Sequence, residues 1–164
     1  MNFSRRFFLT SGVLGLAAAS TIPWLNDETL AGETFEVTRS DAEWRKLLTP
    51  AQYAVLRKSS TERPFSSPLL HEKRRGDFLC EGCDLPLFSS NTKFESGTGW
   101  PSFWAPLEKA VGTTRDSTFG MARTAVHCSR CGGHLGHVFD DGPKPTGLRY
   151  CMNGVAMKFK PATA

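Results

Sequence analysis

Phe78-Leu79-Cys80-Glu81-Gly82-Cys83-Asp84-Leu85-Pro86-Leu87-Phe88 is the stretch on which the fold reading turns. Two short β-like runs, residues 78–80 and 86–88, stand on either side of a Cys-x-x-Cys knuckle. From Asp77 onward the chain keeps this texture. Short β-like runs at residues 111–114, 119–121, 124–126, 137–139, 148–153 and 156–159 alternate with clusters of Gly, Pro, Asn, Asp and Ser. Several short strands at close spacing predict an antiparallel β domain. Upstream the texture is helical. Ser40 is placed to cap a turn bearing Trp44, Leu47 and Leu48, and Thr49-Pro50 makes an N-cap and first-position pair for a second helix bearing Tyr53, Val55 and Leu56. Residues 32–38 read as extended, residues 61–70 as loop, and residues 161–164 as a frayed tail.

The knuckle recurs as Cys128-Ser129-Arg130-Cys131. Two residues between cysteines let one tight turn present both sulfurs to a single ion, and two such turns complete a tetrahedron. Structural zinc leads this reading. Iron on four cysteines has the same spacing, and a redox Cys-x-x-Cys would need a strand-to-helix context that is missing here. His127, beside Cys128, reads as a strand residue pointing away from the metal rather than as a further ligand.

Of the five cysteines, Cys151 is left over, in Arg149-Tyr150-Cys151-Met152-Asn153. On a strand, Arg149, Cys151 and Asn153 share one face, and Tyr150 and Met152 the other. A guanidinium beside a thiol favours the thiolate, so the expectation is a lowered pKa and a nucleophile. Two of the four histidines lie just upstream, in Gly132-Gly133-His134-Leu135-Gly136-His137-Val138-Phe139. The flanking glycines suit a loop that brings His134 and His137 to a ligand. Asp140 and Asp141 can orient an imidazole or start the turn at Gly142-Pro143. A third string, Gly97-Thr98-Gly99-Trp100-Pro101-Ser102-Phe103-Trp104, forms a rigid aromatic loop, readable as core packing or as the wall of a pocket for a small apolar group.

The whole chain has 164 residues, 40% hydrophobic and 22% charged, with a net charge of +4; this is a globular composition with room for one core. The densest basic run, Lys73-Arg74-Arg75, reads as a solvated face rather than a nucleic-acid stripe. The first residues carry Ser4-Arg5-Arg6-Phe7-Phe8-Leu9-Thr10, then a weakly apolar run from Gly12 to Ala19 and small residues. That is the layout of a twin-arginine export signal. The expected organisation is therefore a signal and linker over residues 1–31, cleaved after Ala19 or after Ala31 if at all, and one domain over residues 32–164. The apolar run falls short of the roughly 20 residues needed to span a bilayer. No cysteine lies near the signal, which excludes a lipid anchor there. The expected location is the bacterial periplasm, and the export machinery the expected partner. A route that moves folded proteins would let the metal load before the thiols meet an oxidising compartment.

In one order from about Ser40 to Pro161, these strings resemble the methionine-R-sulfoxide reductases: Thr61-Glu62 with Pro64-Phe65-Ser66, the two knuckles, residues 94–103, residues 134–143 and residues 149–153. The resemblance implies a mainly β fold of two antiparallel sheets with short N-terminal helices. It implies one structural zinc at Cys80, Cys83, Cys128 and Cys131, away from the catalytic centre. It implies Cys151 as the nucleophile and Trp100 as the wall for the substrate S-methyl group. His134, His137, Arg149 and Asn153 match active-site positions, and Phe139 an apolar one; Trp104 and Asp141 are less securely functional. Many members carry a resolving cysteine where this chain has Thr98, so the oxidised Cys151 is expected to be reduced directly by an external thiol such as a thioredoxin-like protein. A monomer acting on methionine sulfoxide in peptides or proteins is the expected form. Two other classes rank far below: a zinc-ribbon binding module without chemistry, and a thiol peroxidase using Cys151.

Overall fold

The computed structural model describes residues 33–117 and 122–163. Residues 1–31 and the run at 119–121 lie outside the described residues, so the signal reading and that strand are not placed.

Both helices begin where their caps predict. Helix α1 spans Asp41–Leu47 and α2 spans Pro50–Lys58. Each opens on a capping box. The Ser40 N–H donates to Glu43 Oε2 (2.8 Å) and the Ser40 hydroxyl accepts from the Glu43 N–H; Thr49 and Gln52 repeat the pattern, with the Thr49 N–H on Gln52 Oε1 at 2.8 Å. Pro50 takes the first helical position, where no N–H is needed. Residues 33–38 form no strand. The 61–70 segment is loop until a 3-10 turn at Pro68–His71, capped by Ser67, which the reading as plain loop missed.

Among the described residues nine strands follow: β1 Gly76–Cys80, β2 Pro86–Ser89, β3 Lys93–Phe94, β4 Ser102–Phe103, β5 Val111–Asp116, β6 Arg123–Cys128, β7 His134–Phe139, β8 Arg149–Met152 and β9 Met157–Pro161. They form two antiparallel sheets, one of three strands in the order β2-β1-β9 and one of six in the order β3-β4-β8-β7-β6-β5. Pro161 belongs to β9 and the Ala162 N–H donates to the Arg75 carbonyl (2.9 Å), so the chain stays paired further than a frayed tail would allow.

Aromatic side chains join the sheets. Phe103 of β4 stacks on Phe88 of β2 (centroids 4.4 Å apart) and meets Phe78 of β1 edge-on at 4.9 Å. All three are fully buried, each worth about 1.5–3 kcal/mol of burial. Tyr150 of β8 lies directly across from Phe103 and also approaches Phe88. Cross-strand partners share a sheet face. Phe103 and Tyr150 therefore mark the face of the large sheet that is turned to the core. The neighbouring pair, Ser102 and Cys151, stands on the opposite face. No described helix is long and apolar enough to cross a membrane.

Candidate active site

Register places the candidate site residues. Cys151 pairs with His137 on β7 and with Ser102 on β4, and Arg149 pairs with Phe139. Arg149, Cys151, Phe139, His137 and Ser102 thus share the outer face of the large sheet. His134 joins them through an irregularity. Two residues three apart on a regular strand point to opposite faces. Here Val126 pairs with Gly136 and His127 with His134, so Leu135 is an extra residue, a bulge that resets the alternation. The His134 and His137 rings consequently meet edge-on at 5.4 Å. The two histidines are strand residues and not a loop; the glycines serve close approach instead. A Cβ at Gly136 would collide with the Cys151 carbonyl oxygen.

Most of these side chains have a defined partner. His137 Nε2 lies 2.8 Å from Asp116 Oδ2, and Arg123 Nη2 donates to the same carboxylate oxygen at 2.9 Å. Asp116 at the end of β5 therefore orients the imidazole, a role the sequence had offered to Asp140 or Asp141. Asp141 instead takes both arms of Arg149, from Nε at 2.8 Å and from Nη2 at 2.9 Å. The same guanidinium lies over the Phe139 ring, 4.4 Å from its centroid. Asn153 lies one residue past β8 and is buried. Its Nδ2 donates to the Leu135 carbonyl at 3.0 Å and its Oδ1 accepts the Glu62 N–H at 2.9 Å.

Glu62 is the residue whose role sequence reasoning missed. Its carbonyl accepts from Trp100 Nε1 at 3.2 Å, and its carboxylate accepts the N–H groups of Gly154 (2.6 Å) and Val155 (3.0 Å). One residue thus ties Trp100 to Asn153 and to the turn behind Cys151. Burial pushes its carboxyl upward against those two amides. The only signal for it in the sequence was its place in the Thr61-Glu62 string. The Trp100 loop is held to β8 as well, by the Met152 N–H on the Pro101 carbonyl at 3.0 Å.

The electrostatics differ from the expectation on one point. Burial pushes the Cys151 thiol up, and this outweighs the Thr98 hydroxyl and the Arg149 guanidinium, both of which favour the thiolate. The guanidinium acts in the expected direction but burial outweighs it. His134 is pushed down to about 4, chiefly by burial and then by His137. It is a neutral imidazole at neutral pH, and its Nε2 is buried with no hydrogen-bond partner among the described residues.

That depression has a consequence for stability. The unfolded chain takes up the His134 proton near its ordinary pKa of about 6.5, whereas the folded chain resists until about 4. The contribution is fully present above 6.5 and is lost as pH falls toward 4, amounting to about 3 kcal/mol. Denaturant unfolding of the wild type and of His134→Gln across this window should show the wild type losing that much more. Parallel lines would show that His134 is not buried as a neutral ring.

The four remaining cysteines form a separate cluster whose sulfurs all lie within 4.8 Å of one another. Cys80 and Cys131 sulfurs are 3.7 Å apart, Cys83 and Cys128 sulfurs 3.5 Å. Four thiolates at 2.3 Å from one zinc would be about 3.8 Å apart. The two knuckles share one backbone pattern. Cys80 N–H donates to the Leu85 carbonyl and Asp84 N–H to the Cys80 carbonyl; Cys128 N–H donates to the Gly133 carbonyl and Gly132 N–H to the Cys128 carbonyl. Asp84 and Gly132, at matching positions, are both left-handed (φ 61° and 67°). The helices close the site from above. Trp44 lies against Gly82, and Arg57 Nη1 donates to the Cys131 carbonyl at 3.0 Å. His127 is a buried strand residue outside the cluster, as expected. The residues present can hold a metal ion.

Comparison with known proteins gives the family. The SelR domain family matches residues 48–161. The peptide methionine sulfoxide reductase MsrB of Agrobacterium fabrum (strain C58) is 56% identical over 127 residues, which cover 77% of this chain and 94% of that protein. The protein of the same name from Pseudomonas putida (strain W619) is 57% identical over 127 residues, 77% of this chain and 96% of its own length. The one from the archaeon Methanosarcina barkeri (strain Fusaro) is 55% identical over 125 residues, 76% of this chain and 88% of its own. With its domain matched across both knuckles and the Cys151 strand, the chain belongs to the MsrB family of peptide methionine sulfoxide reductases, whose hallmark is the SelR domain.

Proposed function

We propose that this protein reduces the R epimer of methionine sulfoxide, in peptides or proteins, by attack of the Cys151 sulfur on the sulfoxide sulfur. The observation that carries the reading is one sheet face on which Cys151 lies across from His137, with His134 edge-on to that ring and the Trp100 loop bound to the same strand. The Cys151 sulfur bonds to the sulfoxide sulfur; that S–S bond and the methionine S–O bond then both break as the oxygen passes to Cys151. A proton from the His134–His137 pair meets the charge that builds on that oxygen. The products are methionine and a Cys151 sulfenic acid, which keeps the oxygen. Two thiols of an external reductant then return the cysteine, releasing water and leaving as a disulfide. Trp100 and Phe139 offer the apolar surface for the S-methyl group, and this placement selects the epimer.

No second cysteine is available for the sulfenic acid. Thr98 Oγ1 is the group 3.8 Å from the Cys151 sulfur, and the other four cysteines are committed to the metal cluster. Turnover therefore proceeds without an internal disulfide, and a thioredoxin-like protein or another thiol acts on Cys151 directly. We assign zinc to Cys80, Cys83, Cys128 and Cys131, which would fasten the two halves of the domain and take no part in the chemistry. The Arg5-Arg6 signal supports export through the twin-arginine machinery to the periplasm, with oxidised envelope proteins as substrate. No nucleic acid is involved, and the protein acts as a monomer.

The test uses a peptide carrying one methionine sulfoxide, as separated R and S epimers, with dithiothreitol as reductant. Consumption of R alone is expected. Equal consumption of both epimers would remove the pocket argument, and fast consumption of hydrogen peroxide with neither epimer touched would make the protein a thiol peroxidase.

A further inference from the structure

We propose that Thr98 is a positioning residue that sets the ionisation of Cys151, acting as the first member of a hydroxyl chain formed with Ser96 and Ser102. The inference rests on Cys151 as the reacting thiol and adds what governs it. The chain is continuous. Thr98 Oγ1 lies 3.8 Å from the Cys151 sulfur and 2.9 Å from Ser96 Oγ. Ser96 Oγ lies 2.7 Å from Ser102 Oγ, and Ser102 Oγ donates to the Trp100 carbonyl at 3.1 Å. Ser102 is 1% exposed, so its hydroxyl has no recourse to water.

The far end gives the chain a direction. A carbonyl oxygen can only accept, so the Ser102 proton is spent on Trp100. The short Ser96–Ser102 contact must then carry the Ser96 proton. Ser96 Oγ is left as an acceptor and already receives the Thr98 N–H at 3.4 Å. Thr98 is the one hydroxyl in the row with a choice. With Cys151 protonated, the thiol donates to Thr98 and Thr98 donates to Ser96, so every proton points one way. With Cys151 ionised, one rotation of the Thr98 hydroxyl turns its proton onto the sulfur. Ser96 keeps its backbone donor and Ser102 keeps the carbonyl. The fixed protons of the two serines therefore decide how readily Thr98 serves the thiolate.

The charged and titratable groups around the sulfur lie elsewhere. Arg149, held by Asp141, is on the same strand. His137, held by Asp116, and His134 come from β7, and the Glu62 carboxylate is held by the N–H groups of Gly154 and Val155, next to Asn153 in the chain. β4 contributes only Ser102. Substitutions within the hydroxyl chain leave all of those charges in place, so a change in the Cys151 titration reports the chain itself.

The experiment follows iodoacetamide alkylation of Cys151 against pH in the full, metal-loaded chain, read by mass spectrometry of the Cys151 peptide, without any sulfoxide present. Thr98→Val should move the midpoint up by about half to one pH unit, a three- to tenfold fall in thiolate at a fixed pH below it. Thr98→Ser should restore it. Ser102→Ala should act in the opposite sense: the Ser96 proton, losing its acceptor, turns to Thr98 and drives the Thr98 proton onto the sulfur, lowering the midpoint by a few tenths of a unit, roughly a twofold gain. A Thr98→Val midpoint at the wild-type value overturns the proposal. So does a Ser102→Ala midpoint that stays put or rises, since damage to packing moves both variants the same way. Sulfoxide turnover, measured separately, tests Cys151 as nucleophile and is independent of either result.

Discussion

Cys151→Ser is expected to lose at least about a thousandfold in sulfoxide reduction, to the limit of detection, while folding and metal content stay unchanged. A serine hydroxyl, with an alcohol pKa far above any operating pH, is a much poorer nucleophile toward sulfur than a thiol. The substitution is nearly isosteric, and Cys151 is only half-buried on the outer sheet face, so the core between Phe103 and the small sheet should not register it. His137 and Asp116 remain paired, and Arg149 keeps its bidentate contact with Asp141. The loss should therefore fall on kcat, because the groups that hold the substrate are intact. Turnover with the R epimer and dithiothreitol, beside thermal unfolding and metal stoichiometry, is the measurement. Residual activity within tenfold of wild type would place the nucleophile elsewhere. The only other described thiols belong to the metal cluster, so such a result would dismantle the mechanism.

The sequence carried the parts of this fold that are local. Ser40 and Thr49 announce their helices because a cap and its partner lie three residues apart. The knuckles are legible because each Cys-x-x-Cys turn is four residues long. The strands from β5 to β9 have enough length to show a pattern, whereas β3 and β4 have two residues each and show none. The site was legible as a set of residue types and only partly as geometry. His134 and His137 look like loop residues beside glycine. Their common side comes from a bulge at Leu135, and a bulge shows only against its partner strand. Asp116 reaches His137 because β5, β6 and β7 lie side by side, so nothing within either string announces the pair. Glu62 acts over 91 positions to Asn153 and 38 to Trp100. The sign of the Cys151 shift failed for a related reason. Arg149 is visible two residues away in the string, but burial, the larger effect, is a property of the packed whole.

Removing one ligand of the cysteine cluster should cost the protein its fold rather than its chemistry directly. Cys131→Ala is expected to abolish stoichiometric metal binding and to leave a chain that is largely unfolded or aggregated at 37 °C. Structural zinc contributes about 10 kcal/mol or more to a small domain, comparable to the whole net stability of about 5–15 kcal/mol. The aromatic core does not escape that arithmetic. Phe78, Phe88 and Phe103 add several kcal/mol of burial, but that gain is already spent against chain entropy. The cluster also has work that the core cannot take over. It joins the end of β1 to the turn between β6 and β7, and Trp44, Arg57 and Gly82 pack the helices onto it. The thiols lie 3.5 and 3.7 Å apart in two cross-knuckle pairs, so a chain that loses its metal would leave them close enough for an oxidant to bridge. Metal analysis with thermal unfolding of Cys131→Ala decides the matter. A variant lacking metal but melting within a few degrees of wild type would mean that hydrophobic packing alone holds the two sheets. In that case reductase activity should survive in full, because Cys151, His137 and Trp100 take their positions from β4, β7 and β8 and not from the cluster.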